Sequence, residues 1–87
     1  PMILAGPDVP EGSVCDTPVS LLDVHATIYD SLGLDLPIHR NAQSLIELAR
    51  QPERQRSVFG EYHALNSENG SFLLTDNRFK LIYHPFS

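Results

Sequence analysis

The sequence predicts a chain that begins as α/β and ends as α+β, with one core strand and helix followed by a small antiparallel β-sheet. Three observations carry this. Met2-Ile3-Leu4-Ala5 is a continuous apolar run, the pattern of a strand covered on both faces. Between Leu21 and Leu32 apolar residues recur at three- and four-residue spacing, the period of a helix. From Val58 onward the pattern alternates with period two, as strands with two unlike faces do.

The elements follow in order. Gly6-Pro7 ends the first strand, and Gly6 to Ser13, with two Pro, two Gly and two acids, reads as a loop. A helix over Pro18 to Leu32 comes next, with Thr17 as N-cap, Pro18 at the first helical position and Asp16 at the positive end of the dipole. Leu21, Leu22, His25, Ile28, Tyr29 and Leu32 form its apolar face. Gly33 suits the left-handed residue after a helix, and Pro37 forbids early resumption. Asp35 to Gln43 lacks periodicity and reads as a linker that carries His39 and Arg40 in solvent. Ser44 to Arg50 makes at most two helical turns, closed by Pro52, and the polar Gln51 to Ser57 is expected on the surface.

Three strands are predicted at Val58 to Ala64, Ser71 to Thr75 and Phe79 to His84, the first two joined by the polar run Leu65 to Gly70. Asp76-Asn77 predicts a two-residue type I′ hairpin turn, because both side chains tolerate positive φ. Gly60, inside the first of these strands, predicts a bulge or a close backbone approach.

Composition narrows the class. The chain has 87 residues, 41% of them hydrophobic, and a formal charge of −5. One domain is the most that this length allows, and such a chain buries only about 60–65% of the surface it exposes when unfolded. Six basic against eleven acidic residues, with no basic cluster, exclude nucleic acid and anionic membrane surfaces as expected partners. No apolar run approaches the roughly 18–20 residues of a membrane span, and Cys15 alone makes no internal disulfide. The chain opens on Pro1 with Met2 second, a start that suggests processing or truncation.

Residues with chemistry are sparse. Cys15 precedes a helix start, where a thiolate is stabilised, yet spacing ties no base to it, so it reads as a small loop residue. His25, His39, His63 and His84 show neither HxH nor HxxxH spacing, so no self-contained metal site is expected. His25 reads as a hydrogen-bonded core or boundary residue. Lys80 shares a strand face with Ile82 and His84 as an exposed charge. Alternation puts Phe59, Glu61 and His63 on one face, with Gly60, Tyr62 and Ala64 on the other. A carboxylate two residues from an imidazole on one face can orient it for a polar substrate. The same spacing also fits a solvated strand face carrying an incidental pair.

Taken in order, the landmarks PMILAGPDVPEG, DTPVSLLDVHATIYDSLGLDLP, QSLIEL, VFGEYHA and SFLLTDNRFKLIYH resemble the C-terminal part of type I sulfatases. These belong to the alkaline phosphatase superfamily, with choline-sulfatase-like and phosphonate monoester hydrolase-like relatives. Asp16, Pro18, Val19, Ser20, Leu21, Asp23, Gly33, Leu34 and Pro37 match the first block, and Glu61, Tyr62, His63, Arg78, Lys80 and Ile82 the second. The resemblance covers nearly the whole chain. It implies that residues 1–40 are a strand and helix from the end of the sulfatase α/β core, and that 41–87 are a C-terminal antiparallel β subdomain with a short helix.

The resemblance also implies what the chain lacks. Sulfatases of this type use a formylglycine made from a Cys/Ser-x-Pro-x-Arg motif, together with a divalent metal (Ca, Mg or Mn). Cys15 is followed by Thr17 and Val19 where that motif needs Pro and Arg, so both groups are expected upstream. The chain alone is then expected to be inactive, its partners being the remainder of the same polypeptide and, in the whole enzyme, a small sulfate ester. His63, with Glu61, is implied as substrate-binding at the active-site rim. A phosphonate or phosphate mono- or diesterase of the same superfamily fits the same residues, and a stand-alone α+β interaction module is the rival from another class. An unpaired Met2–Ala5 strand would also let the chain self-associate. The compartment stays open.

Overall fold

A computed structural model describes residues 1–37, 41–51, 53–63 and 70–85. Along the chain lie α1 (Leu21–Ser31), α2 (Leu45–Arg50), β1 (Val58–His63), β2 (Gly70–Thr75) and β3 (Lys80–Tyr83). The expectations for His39, Arg40, Pro52, Ala64 and the 65–69 connection lie outside the described residues.

The helix α1 starts three residues later than expected. Its N-cap is Ser20 rather than Thr17: Ser20 Oγ accepts from Leu22 N at 3.1 Å, and Asp23 Oδ2 accepts from Ser20 N at 2.7 Å, a reciprocal capping box. Thr17 is engaged elsewhere, its hydroxyl donating to the Arg54 carbonyl at 3.0 Å. The other end is as expected. Gly33 has φ 69°, with Gly33 N donating to Asp30 O and Leu34 N to Tyr29 O, the paired bonds of a Schellman motif.

The apolar stripe of α1 is not its buried face. Asp23 and Ala26 are buried, whereas Leu21 is 82% exposed and Leu32 67%. The reason is polar. Thr27 Oγ1 accepts from Leu45 N at 2.8 Å, Asp23 Oδ1 accepts from Gln43 N at 2.9 Å, and Ser44 donates to Asp30 at 2.6 Å. These bonds dock the start of α2 on the small, polar side of α1. The helix expected over Ser44 to Arg50 forms from Leu45, with Ser44 as its N-cap, and it buries Leu45, Ile46 and Leu48.

The strand expected at Met2–Ala5 is not formed, and no described strand pairs with it. Its physical reason is the one that makes such a run a core strand: with no neighbour to take its backbone bonds, it stays single, and Ile3 is 93% exposed. The loop that follows turns as expected, Val9 N closing on Gly6 O across Pro7 and Asp8.

The sheet has the order β1-β2-β3, antiparallel throughout. Val58 to His63 pair in unbroken register with Thr75 to Gly70, so Gly60 sits in no bulge. The β2–β3 turn differs from the type I′ expectation. Lys80 pairs with Thr75, leaving Asp76 to Phe79 as a four-residue loop in which Asn77 does not adopt positive φ. Asp76 Oδ1 accepts from Arg78 N at 2.7 Å and Phe79 N at 2.6 Å, so the side chain builds the turn that the backbone alone was expected to make.

Among the described elements, helix packs on helix and strand on strand, but no helix packs on a strand. Residues 54–57 bridge the halves through polar bonds. The molecule is correspondingly open: its radius of gyration is 15.2 Å, against about 12 Å for a compact chain of this length. It exposes 7129 Å², about 2,000 Å² more than a folded monomer of this mass. Among the described residues no helix is long and apolar enough to cross a membrane.

Candidate functional site

Period-two alternation along β1 places Phe59, Glu61 and His63 on one sheet face, as expected. Register adds their neighbours: Glu61 pairs with Phe72 and His63 with Gly70 on β2, and Phe72 pairs with Tyr83 on β3. On this face His63 Nε2 lies 3.3 Å from Glu61 Oε2. The His63 ring meets Phe72 edge to face at 5.7 Å between centroids, and Phe59 stacks on Phe72 at 6.3 Å. Both polar side chains stay more than half exposed. The structure therefore brings Glu61 and His63 together on an aromatic floor, open to solvent. An imidazole held beside a carboxylate and more than half exposed can exchange a hydrogen bond with a polar ligand.

The opposite face carries Ser71, Lys80 and His84, with Ser71 Oγ 2.9 Å from His84 Nδ1 and Lys80 exposed. Cys15 is half-buried beside α2, its thiol 3.6 Å from the Leu48 carbonyl. His25 is half-buried against the edge of Tyr29, a boundary position as expected.

A second polar centre was not visible in the sequence. Asp23 is fully buried and bonded by Arg56 Nη1 and Nη2, each at 2.7 Å. Arg56 also donates to the carbonyls of Pro18 and Asn41. Burial pushes the Asp23 carboxyl up, but hydrogen bonds from Arg56, Ser20 N and Gln43 N, with the Arg56 charge, outweigh it and hold it below 3.8. Backbone N–H groups of Phe79 and Arg78 likewise hold the exposed Asp76 carboxyl below 3.8. The surface expected for Gln51 to Ser57 thus has one exception: the Arg56 side chain is only 9% exposed. Nothing local marks Arg56, since its partner lies 33 residues away.

Among the described residues no group of three His, Cys, Asp or Glu side chains converges as a metal site. Cys15 lacks the Pro and Arg that formylglycine formation needs. The described residues therefore fit neither group.

Comparison with known proteins defines the class: the chain is similar to sulfatases. It is 25% identical over 91 residues to arylsulfatase K of Homo sapiens and 28% identical over 88 residues to arylsulfatase K of Danio rerio, covering 94% of this chain in each case. A sulfatase of Formosa agariphila is 29% identical over 59 residues, covering 68% of the chain. The chain spans only 17%, 17% and 12% of these relatives' lengths. No protein-family profile and no solved structure matches it.

Proposed function

We propose that this chain is the C-terminal segment of a sulfatase-family hydrolase, and that it contributes the rim of the substrate pocket rather than the reacting groups. One observation carries the reading: similarity to arylsulfatase K runs through 94% of the chain yet through only 17% of that protein. The physics of the surface supports it. An apolar helix stripe turned to solvent, an unpaired apolar run at Met2–Ala5 and about 2,000 Å² of excess exposed surface suit a piece whose partner is the rest of its own polypeptide.

In this reading residues 1–40 join an alkaline-phosphatase-like α/β core, where Met2–Ala5 gains strand neighbours, and 41–87 form the antiparallel subdomain. The divalent metal and the formylglycine are held by chain outside these 87 residues. What the chain itself does is bind and orient: His63, buttressed by Glu61 and Phe72, faces the substrate and meets its polar groups.

The test uses the full-length protein and a chromogenic aryl sulfate. Turnover is expected from the whole protein, none from residues 1–87 alone, and a loss of kcat/KM in His63→Ala with the melting temperature unchanged. Cleavage of phosphate or phosphonate esters but not sulfate esters would overturn the sulfatase assignment. Unchanged kcat/KM and substrate preference in His63→Ala would remove the role of His63.

A further inference from the structure

We infer that Gly70 is a positioning residue for His63: its missing side chain is the space in which the imidazole lies. The inference rests on the reading of His63 as substrate-facing, but its geometric content stands apart from that reading.

Gly70 is the first residue of β2, paired with His63 at the end of β1, and glycine at a paired position forgoes a side chain that could pack there. The backbone supplies no cause for it. Its φ is not in the left-handed region, unlike Gly6, Gly12 and Gly33, so any L-residue could adopt the backbone there. The cause is the residue across the ladder. His63 pairs directly with Gly70, and a Cβ at position 70 would lie 2.7 Å from His63 Cε1 and 2.9 Å from Nδ1. Phe72 Cε2 would be 3.4 Å away, ordinary contact. Among the described residues the closest obstruction is therefore the His63 ring.

Gly60 is the internal control. It sits in the neighbouring strand of the same ladder, and a Cβ there would meet only Leu73, at 3.8 and 3.9 Å. One strand glycine has room for a side chain and the other has its room filled by an imidazole. Three groups thus fix the ring: Glu61 Oε2 at 3.3 Å from Nε2, Phe72 at its edge, and Gly70 beneath it. A ring at the end of a two-torsion side chain can swing away, so a methyl at 70 displaces His63 without breaking the sheet.

The test compares Gly70→Ala, His63→Ala and the double variant in the full-length protein. Expected are a crystal structure of Gly70→Ala with the β1–β2 register intact and the His63 ring moved off Phe72, and a melting temperature close to wild type. The fold-loss in kcat/KM should match that of His63→Ala within about twofold, and the double variant should be no worse than either single one. A ring still seated over position 70 in Gly70→Ala, or additive losses in the double variant, would overturn the inference. Were His63→Ala kinetically silent while the ring still moved in Gly70→Ala, the substrate-facing reading would fail and the positioning would stand.

Discussion

Arg56 grips Asp23 with both terminal guanidinium nitrogens, Nη1 on Oδ2 and Nη2 on Oδ1, each at 2.7 Å and with little access to solvent. The same carboxylate caps α1 through Ser20 N and holds the approach to α2 through Gln43 N. The helices and the segment leading into the sheet therefore meet around this ion pair, with Thr17 bonded to the Arg54 carbonyl beside it.

Removing one partner of a buried pair strands the other's charge and costs about 3–5 kcal/mol. Arg56→Ala is expected to lose that much, a large fraction of what a core of Ala26, Leu45, Ile46 and Leu48 supplies. Arg56→Lys keeps the charge but not the fork, so it should fall between. Urea unfolding followed by circular dichroism reads both, and equal midpoints for Ala and wild type would contradict the role.

The lowered Asp23 carboxyl fixes the sign of a pH dependence. A carboxyl held below its unfolded value of 3.8 gives stability that is fully present above that pH. It is lost as pH falls through the lower folded value. The acid limb of a melting-temperature profile should thus drop below about pH 4 in wild type and flatten in Arg56→Ala. An identical acid limb in the two proteins would point to another group.

Gly60→Ala is expected to be neutral or stabilising by about 0.4–1 kcal/mol, because the added methyl fits against Leu73 and the unfolded chain loses freedom. Thermal melts decide it. A clear destabilisation would mean that the strand needs glycine for a reason other than space.

Asp76→Ala should loosen the β2–β3 hairpin, since Arg78 N and Phe79 N lose their shared acceptor. Asp76→Asn retains an acceptor oxygen and should restore most of the turn. Hydrogen exchange at Arg78, Phe79 and Leu81 is the readout, with protection unchanged in the alanine variant as the contrary result.

Local pattern made much of this legible. Period two gave the three strands and the shared face of Glu61 and His63, and Gly33 marked the end of α1, because each depends on neighbours in sequence. The start of α1 was ambiguous in a physical sense: Thr17 and Ser20 both suit a cap, and the Arg54 carbonyl, 37 residues on, takes Thr17. The spacing of Ser20 and Asp23 is the signal that chooses between them. The stripe of Leu21, Ile28 and Leu32 is apolar as the spacing predicts, but among the described residues it stays exposed. The surroundings of His63 escaped for a related reason. Phe72 and Gly70 become its neighbours only once the β1–β2 register is known.

The polar bridge at residues 54–57 gives the sheet leverage. Arg56 is pinned two residues before β1 and His63 ends that strand, seven residues and about 23 Å of extended chain away. A tilt of about 5° around the pin sweeps the end of the strand through about 2 Å. Displacements of that order are enough to cost a reaction about a hundredfold. In the proposed reading of His63, aim at the far end of the strand then depends on the stiffness of the guanidinium fork on Asp23.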